Sequence, residues 1–269
     1  MRKASVALIL ALMLLLSSVG SALAVTNGQP DGDRHPYVGL LVFEDSAGHP
    51  AWRCSGALLS PTVVLTAGHC TDGAVAARIW FDENVQDNTE YPFGGATSYE
   101  GIPYTYPGFC IGCGNGLPGF ATGDVGIVVL TEPVPTSVVG EYAQLPEPGL
   151  VDTLDKGTTI DLVGYGVQRQ THGHGPPVWT GLRVRLYAPT QLVSGEFVHS
   201  DEFIRLTANP GGGKGGTCFG DSGGPDLLGG TDIVVGVNSY VTNGNCAGVT
   251  YSMRVDLPEV LDWIEGFLD

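Results

Sequence analysis

Apolar residues along this chain gather in short runs. "YVGLLVF" (37–43), "GALLS" (56–60), "TVVLTA" (62–67), "VGIVVL" (125–130), "TIDLVGYG" (159–166), "LRVRLY" (182–187) and "DIVVGVNSYV" (232–241) are rich in strand formers and are separated by Gly, Pro, Asn and Asp. Runs of that length and composition predict strands. Short strands punctuated by turn signals predict a β-barrel or sandwich. Two stretches break the pattern. Near the C-terminus, "DLPEVLDWIEGFL" carries Leu257, Val260, Leu261 and Ile264 at helical spacing, with Pro258 and Glu259 suited to a first turn, so one terminal helix is expected. At the other end, "MRKASVALILALMLLLSSVGSALA" combines Arg2 and Lys3, an apolar run from Val6 to Leu16, and the A-x-A of Ala22-Leu23-Ala24. These three parts predict a secretory signal over residues 1–24, cleaved after Ala24. The rival, a membrane anchor, is disfavoured because the run is too short to span a bilayer well.

Composition narrows the function classes. The chain has 269 residues, 43% of them hydrophobic, enough for a substantial core. Its Gly 41 and Pro 18 follow no period, which excludes a collagen-like chain. The net charge is −16, and losing Arg2 and Lys3 with the leader makes it more negative. Such a body repels phosphate backbones, so nucleic acid is not an expected partner. No membrane association is expected once the signal is gone.

All six cysteines, Cys54, Cys70, Cys110, Cys113, Cys218 and Cys246, follow the leader. An even count in an exported chain implies disulfides. Zinc is the rival at Cys110-Ile-Gly-Cys113, but no second CxxC or HxxxH pair accompanies it, and no metal or other cofactor is expected. His172 and His174 sit in "THGHGPP", which reads as a loop.

The candidate chemistry centres on "TCFGDSGGPD" (217–226), where Ser222 stands among paired glycines directly after Asp221. A serine hydroxyl is a weak nucleophile. It needs a base to take its proton and donors to hold the oxyanion. "VVLTAGHC" offers His69 after a predicted strand, and "GDVGIVVL" offers Asp124 at the mouth of another. Singly, each has an ordinary reading: a packed turn histidine, or a turn aspartate bonded to a backbone amide. Together, in a secreted β-rich chain, they make a nucleophile, a base and an orienting acid. "GDSGG" also fits the G-x-S-x-G elbow of α/β-hydrolases, but that fold needs a histidine after the serine, and the last histidine here is His199.

"LTAGHC", "GDVGIVVL" and "GDSGGP" resemble the three signature blocks of the chymotrypsin/trypsin family of serine proteases, with weaker likeness at "VGYG" (163–166), "VNSYV" (237–241) and "VLDWI" (260–264). The resemblance covers essentially all of residues 25–269. It implies two packed six-stranded antiparallel β-barrels, divided near 135–155, with a C-terminal helix. It implies a secreted, monomeric endopeptidase that acts on polypeptides and can meet protein inhibitors. His69 would be base and then acid, Asp124 its orienter, Ser222 the nucleophile, and the N–H groups of Gly220 and Ser222 the oxyanion hole. It implies Cys54–Cys70 and Cys218–Cys246. Cys110 and Cys113 are left over, a departure from the family, and would close a small local ring.

The pocket for the residue before the cut is implied at Gly216, Thr217, Phe219, Ser239, Tyr240 and Val241. Gly216 stands where trypsin has an acid. Val241 replaces a glycine, as in elastase-like members with shallow pockets. Small or medium uncharged side chains are therefore expected. "AGVTYSMRV" aligns in two registers, leaving either Gly248 or Thr250 as the other wall. Val25, freed by signal cleavage, would pair its amine with Asp221. Two alternatives accompany this reading: a catalytically silent binding protein on the same fold, and a calcium loop at Asp82, Glu83, Asp87 and Glu90, against which stands a solvated acidic turn.

Overall fold

A computed structural model describes residues 25, 28–113, 121–167, 169–171, 178–194, 201–209, 212–242, 244 and 246–268. The predicted signal (1–24) and the histidines at 172 and 174 lie outside them. Six strands make the first barrel: β1 (Val38–Glu44), β2 (Pro50–Leu58), β3 (Val63–Thr66), β4 (Ala76–Trp80), β5 (Ser98–Thr105) and β6 (Gly126–Leu130). They are antiparallel and close in the order β1-β2-β3-β6-β5-β4. Six more make the second: β7 (Thr159–Gly164), β8 (Leu186–Ser194), β9 (Phe203–Ala208), β10 (Pro225–Leu228), β11 (Val234–Val241) and β12 (Gly248–Arg254). Their order is β8-β7-β10-β11-β12-β9, closed by pairing of β8 with β9. Closure removes exposed strand edges in both barrels. The C-terminal helix, α2 (Pro258–Glu265), has Pro at its start and buries Val260, Leu261 and Ile264. A single turn of helix, α1 (Gly68–Thr71), follows β3.

The larger apolar cluster runs from Leu40, Leu65, Ile79 and Ile127 in the first barrel to Phe203, Val237 and Met253 in the second, and on to α2. A smaller cluster gathers Val25, Val151, Ile160, Leu162 and Leu186 in the second barrel. Polar ties cross between the barrels. The Tyr165 hydroxyl donates to the Asp82 carbonyl at 2.7 Å, and the Tyr37 hydroxyl to Asp232 Oδ1 at 2.6 Å. Arg185, 2% exposed, donates from Nε to Asp31 Oδ2 at 2.8 Å and from Nη1 to the Phe81 carbonyl at 2.9 Å. Asp31 also holds His35 Nδ1 at 2.6 Å. The Arg185 guanidinium thus strings together the segment before β1, the end of the first barrel's β4, and the start of β8.

The six cysteines pair as Cys54–Cys70, Cys110–Cys113 and Cys218–Cys246. The first joins β2 to α1. The last joins the loop before Ser222 to the segment leading into β12.

Candidate active site

His69 lies in α1, which β3 delivers to the mouth between the barrels. Its backbone N–H donates to Asp124 Oδ1 at 2.7 Å, and its Nδ1 lies 2.8 Å from Asp124 Oδ2. Asp124 enters just ahead of β6 and is fully buried. The Ser239 hydroxyl, from β11, donates to the same Oδ2. A carboxylate receiving three donors from two barrels is fixed in place. Burial alone would raise the Asp124 pKa, but the His69 charge and these hydrogen bonds hold it below the usual carboxylate range. Burial likewise works against a charged imidazole, yet the Asp124 charge and hydrogen bond lift the His69 pKa above its ordinary value. The ring keeps 30% of its side-chain surface open, against 1% for Asp124.

Ser222 comes from the second barrel, just ahead of β10. The loop is held against the first barrel by the Ser55 N–H on the Ser222 carbonyl at 2.8 Å and by the Ser55 hydroxyl on the Gly220 carbonyl at 2.9 Å. The glycines answer to two constraints. Gly223 has φ +75, and a Cβ there would lie 2.1 Å from Thr66 Oγ1 and 2.7 Å from the Ala67 nitrogen, two residues before His69. Only a bare backbone lets the serine come this close to the histidine's own turn. Gly220 has φ +97 and sits in a turn closed by the Asp221 N–H on the Cys218 carbonyl at 3.0 Å. The Phe219 carbonyl accepts from the Val167 N–H at 2.7 Å. The two ends of a trans peptide point opposite ways, so the Gly220 N–H is turned away from Val167.

A cavity of about 170 Å³ opens beside Ser222, lined by Thr217, Cys218, Phe219, Ser222, Asn238, Ser239, Tyr240 and Val241. Of the residues expected there, Gly216 alone is not in the lining; it is buried one residue before Thr217. Neither candidate for the other wall is in the lining: Thr250 lies opposite Val241 and is fully buried, while Gly248 is exposed. Tyr240 stacks on Tyr251, ring centroids 4.8 Å apart. Asn238, inside the quoted "VNSYV", was not singled out in the sequence; the signal was an amide in the middle of an otherwise apolar strand.

Asp221 is fully buried and accepts from the N–H groups of Gly166 at 2.8 Å and Cys218 at 2.9 Å. Burial pushes its pKa up to about 7 in spite of those bonds and the nearby Arg53 charge. Val25 is fully buried in the second barrel's own cluster, with a positive φ of 47°. Three of the four acids of the expected calcium loop have other partners. Asp82 accepts from the Thr97 hydroxyl, Glu83 from the Gly32 N–H, and Asp87 from the Asn84 amide.

A family model described as Trypsin matches residues 25–264. The chain belongs to the trypsin family. Human kallikrein-12 is 28% identical over 95% of this chain and 96% of its own. Brachyurin of Leptuca pugilator is 26% identical over 92% of this chain and 96% of its own. Serine protease 1 of Drosophila melanogaster is 26% identical over 89% of this chain and 84% of its own. Among solved structures, HL collagenase superposes with a TM-score of 0.66 at 20% identity, covering 87% of this chain and 94% of that one. Human heparin binding protein superposes at 0.60 and 19% identity, covering 90% and 95%. Both structures share the two-barrel fold. This trypsin-family chain is a serine endopeptidase, a hydrolase of peptide bonds. Among the described residues, no helix is long and apolar enough to cross a membrane.

Proposed function

We propose that the protein is secreted and cleaves polypeptides through an acyl-enzyme, with Ser222 as nucleophile, His69 as base and then acid, and Asp124 as the orienting carboxylate. The observation that carries this is the hydrogen-bonded line from Ser239 through Asp124 to His69, whose Ser239 end lines the same cavity as Ser222. His69 takes the hydroxyl proton as Ser222 attacks the carbonyl, then passes it to the leaving amine. The N–H groups of Gly220 and Ser222 receive the oxyanion. One such donor is worth about 10²–10³ in rate. The pocket takes a small or medium uncharged side chain at the residue before the cut, because none of its lining residues is charged and Val241 shortens the slot.

Release of residues 1–24 would give Val25 a free amine, and we propose that this amine pairs with Asp221. Support comes from the complete burial of Asp221 and from its carboxyl's raised pKa, the mark of a buried acid short of a cation.

The test is a labelled organophosphonate together with Ser222→Ala. The wild-type protein is expected to take the label at Ser222. The variant is expected to lose it and about 10⁶ in kcat. A variant that retains near wild-type peptidase activity overturns the assignment. A wild-type protein that folds but takes no label would be the silent binding protein instead.

A further inference from the structure

We propose that Asn238 is the specificity-determining residue of the cavity beside Ser222, and that it selects glutamine or asparagine, side chains ending in a primary amide, at the residue before the cut. This rests on Ser222 as nucleophile and narrows the uncharged preference stated above.

Asn238 is in the cavity lining and 2% exposed. Neither its Oδ1 nor its Nδ2 has a hydrogen-bond partner. Its backbone is clamped on both sides to the nucleophile loop, the Gly223 N–H donating to its carbonyl at 2.8 Å and its own N–H to the Gly224 carbonyl at 3.0 Å. The side chain is therefore held in fixed relation to Ser222, as a specificity group must be.

Behind it the barrel interior is polar where a core is normally apolar. Ser252 stands opposite Asn238, and Asp226 stands opposite Gly236, which leaves room beside it. Asp226, Thr250 and Ser252 are fully buried; the Ser252 hydroxyl lies against Asp226, while the Thr250 hydroxyl, like the Asn238 amide, lacks a hydrogen-bond partner. Buried polar groups are ordinarily paired, and the unpaired Asn238 amide at the wall of the cavity marks what a ligand is to supply.

The choice of ligand follows from what is missing. A primary amide offers one acceptor and one pair of donors, which meet the Nδ2 and Oδ1 of Asn238 reciprocally. An ammonium or guanidinium has only donors and would leave Nδ2 unpaired. A carboxylate has only acceptors and would be brought toward Asp226 and Asp221. An aliphatic side chain would seal both atoms of Asn238 unpaired, the situation in which a polar site rejects an apolar analogue most strongly. Asp226 does not reverse this in favour of a cation. Burial, with the neighbouring Asp221 charge, pushes its pKa up to about 7, against which Ser252 works only in part, and no ion pair reaches it among the described residues.

The experiment is a set of fluorogenic peptides identical except at the residue before the cut: Gln, Asn, Met, Leu, Ala, Lys and Glu. The wild-type enzyme should cut the Gln peptide at least about tenfold better in kcat/KM than its near-isostere Met. Asn238→Leu should invert that order. Asn238→Thr, a smaller change that puts a hydroxyl in place of the amide, should also collapse the ratio, and it carries the test if the leucine variant does not fold. Equal cleavage of Gln and Met by the wild type overturns the proposal, as does a ratio that survives both substitutions or a profile led by Lys. Phosphonate labelling of Ser222 is scored in every sample. Label with an unchanged ratio overturns this inference alone, whereas no label and no cleavage overturns the nucleophile assignment with it.

Discussion

At the scale of single residues, the site is a contest between burial and charge, and His69 shows which wins. Asp124 more than offsets the desolvation of the imidazole. The base works only when neutral, so kcat/KM should rise with pH through a midpoint above the ordinary histidine value of about 6.5. Asp124→Asn should drop kcat by about 10⁴ and move that midpoint down, since the charge that raises it is gone. Ser239→Ala should do less, because His69 keeps both its bonds to the carboxylate. A midpoint unchanged by Asp124→Asn would remove the carboxylate from its proposed role. The blocks around His69, Asp124 and Ser222 stood out in the sequence by their unusual composition, and the structure brings His69 and Asp124 together. Asn238 and Asp226 did not stand out. Their significance depends on strand register, which puts Asn238 against Ser252 and Asp226 against Gly236, and residues fourteen or ten apart in sequence carry no mark of being neighbours.

At the scale of elements, the nucleophile loop depends on backbone approach more than on its own hydrogen bonds. Gly223→Ala would place a methyl against Thr66 and the Ala67 nitrogen at a positive φ, and should cost about 3 kcal/mol or more in stability. Gly213 has a similar φ of +71 but nothing within 4 Å, so Gly213→Ala should cost only the conformational part, about 1–2 kcal/mol. Denaturant unfolding of the two variants compares them directly, and equal losses would mean that the close approach is immaterial. The strands read most easily were those with continuous apolar runs, such as β1, β6 and β11. β5, Ser98–Thr105, was passed over because glycine and proline interrupt it and its neighbours shield it only in part. "LRVRLY" promised a strand from 182, but β8 begins at Leu186, because Arg185 is drawn into the junction between the barrels and its N–H bonds instead to the Glu83 carbonyl. The terminal helix was legible because its apolar stripe and Pro258 point to the same start.

At the scale of the whole molecule, His69 and Asp124 belong to the first barrel and Ser222 to the second, so on the proposed mechanism activity reports on how the barrels are held. Arg185 is the central tie. Arg185→Met would leave Asp31 buried with only His35 as partner, and should destabilise the protein by about 3–5 kcal/mol. Thermal unfolding measures this, and a loss under about 1 kcal/mol would show that the tie is dispensable. The same contact has a second consequence, for the chain end. Gln29 and Pro30 pair with Tyr187 and Leu186 of β8 and Asp31 is held just after them, six residues beyond Val25, so on the proposed pairing a freed Val25 would be a ligand on a tether no longer than roughly 20 Å. A short tether gives a high effective concentration, which falls off gradually as the tether grows. Flexible Gly-Ser inserted between Gly28 and Asp31 should therefore reduce the titratable fraction of active enzyme by degrees, whereas one extra residue ahead of Val25 should abolish it by removing the ligand itself. Asp31, buried far from the chemistry, would then act as the mooring that sets the local concentration of the molecule's own activator.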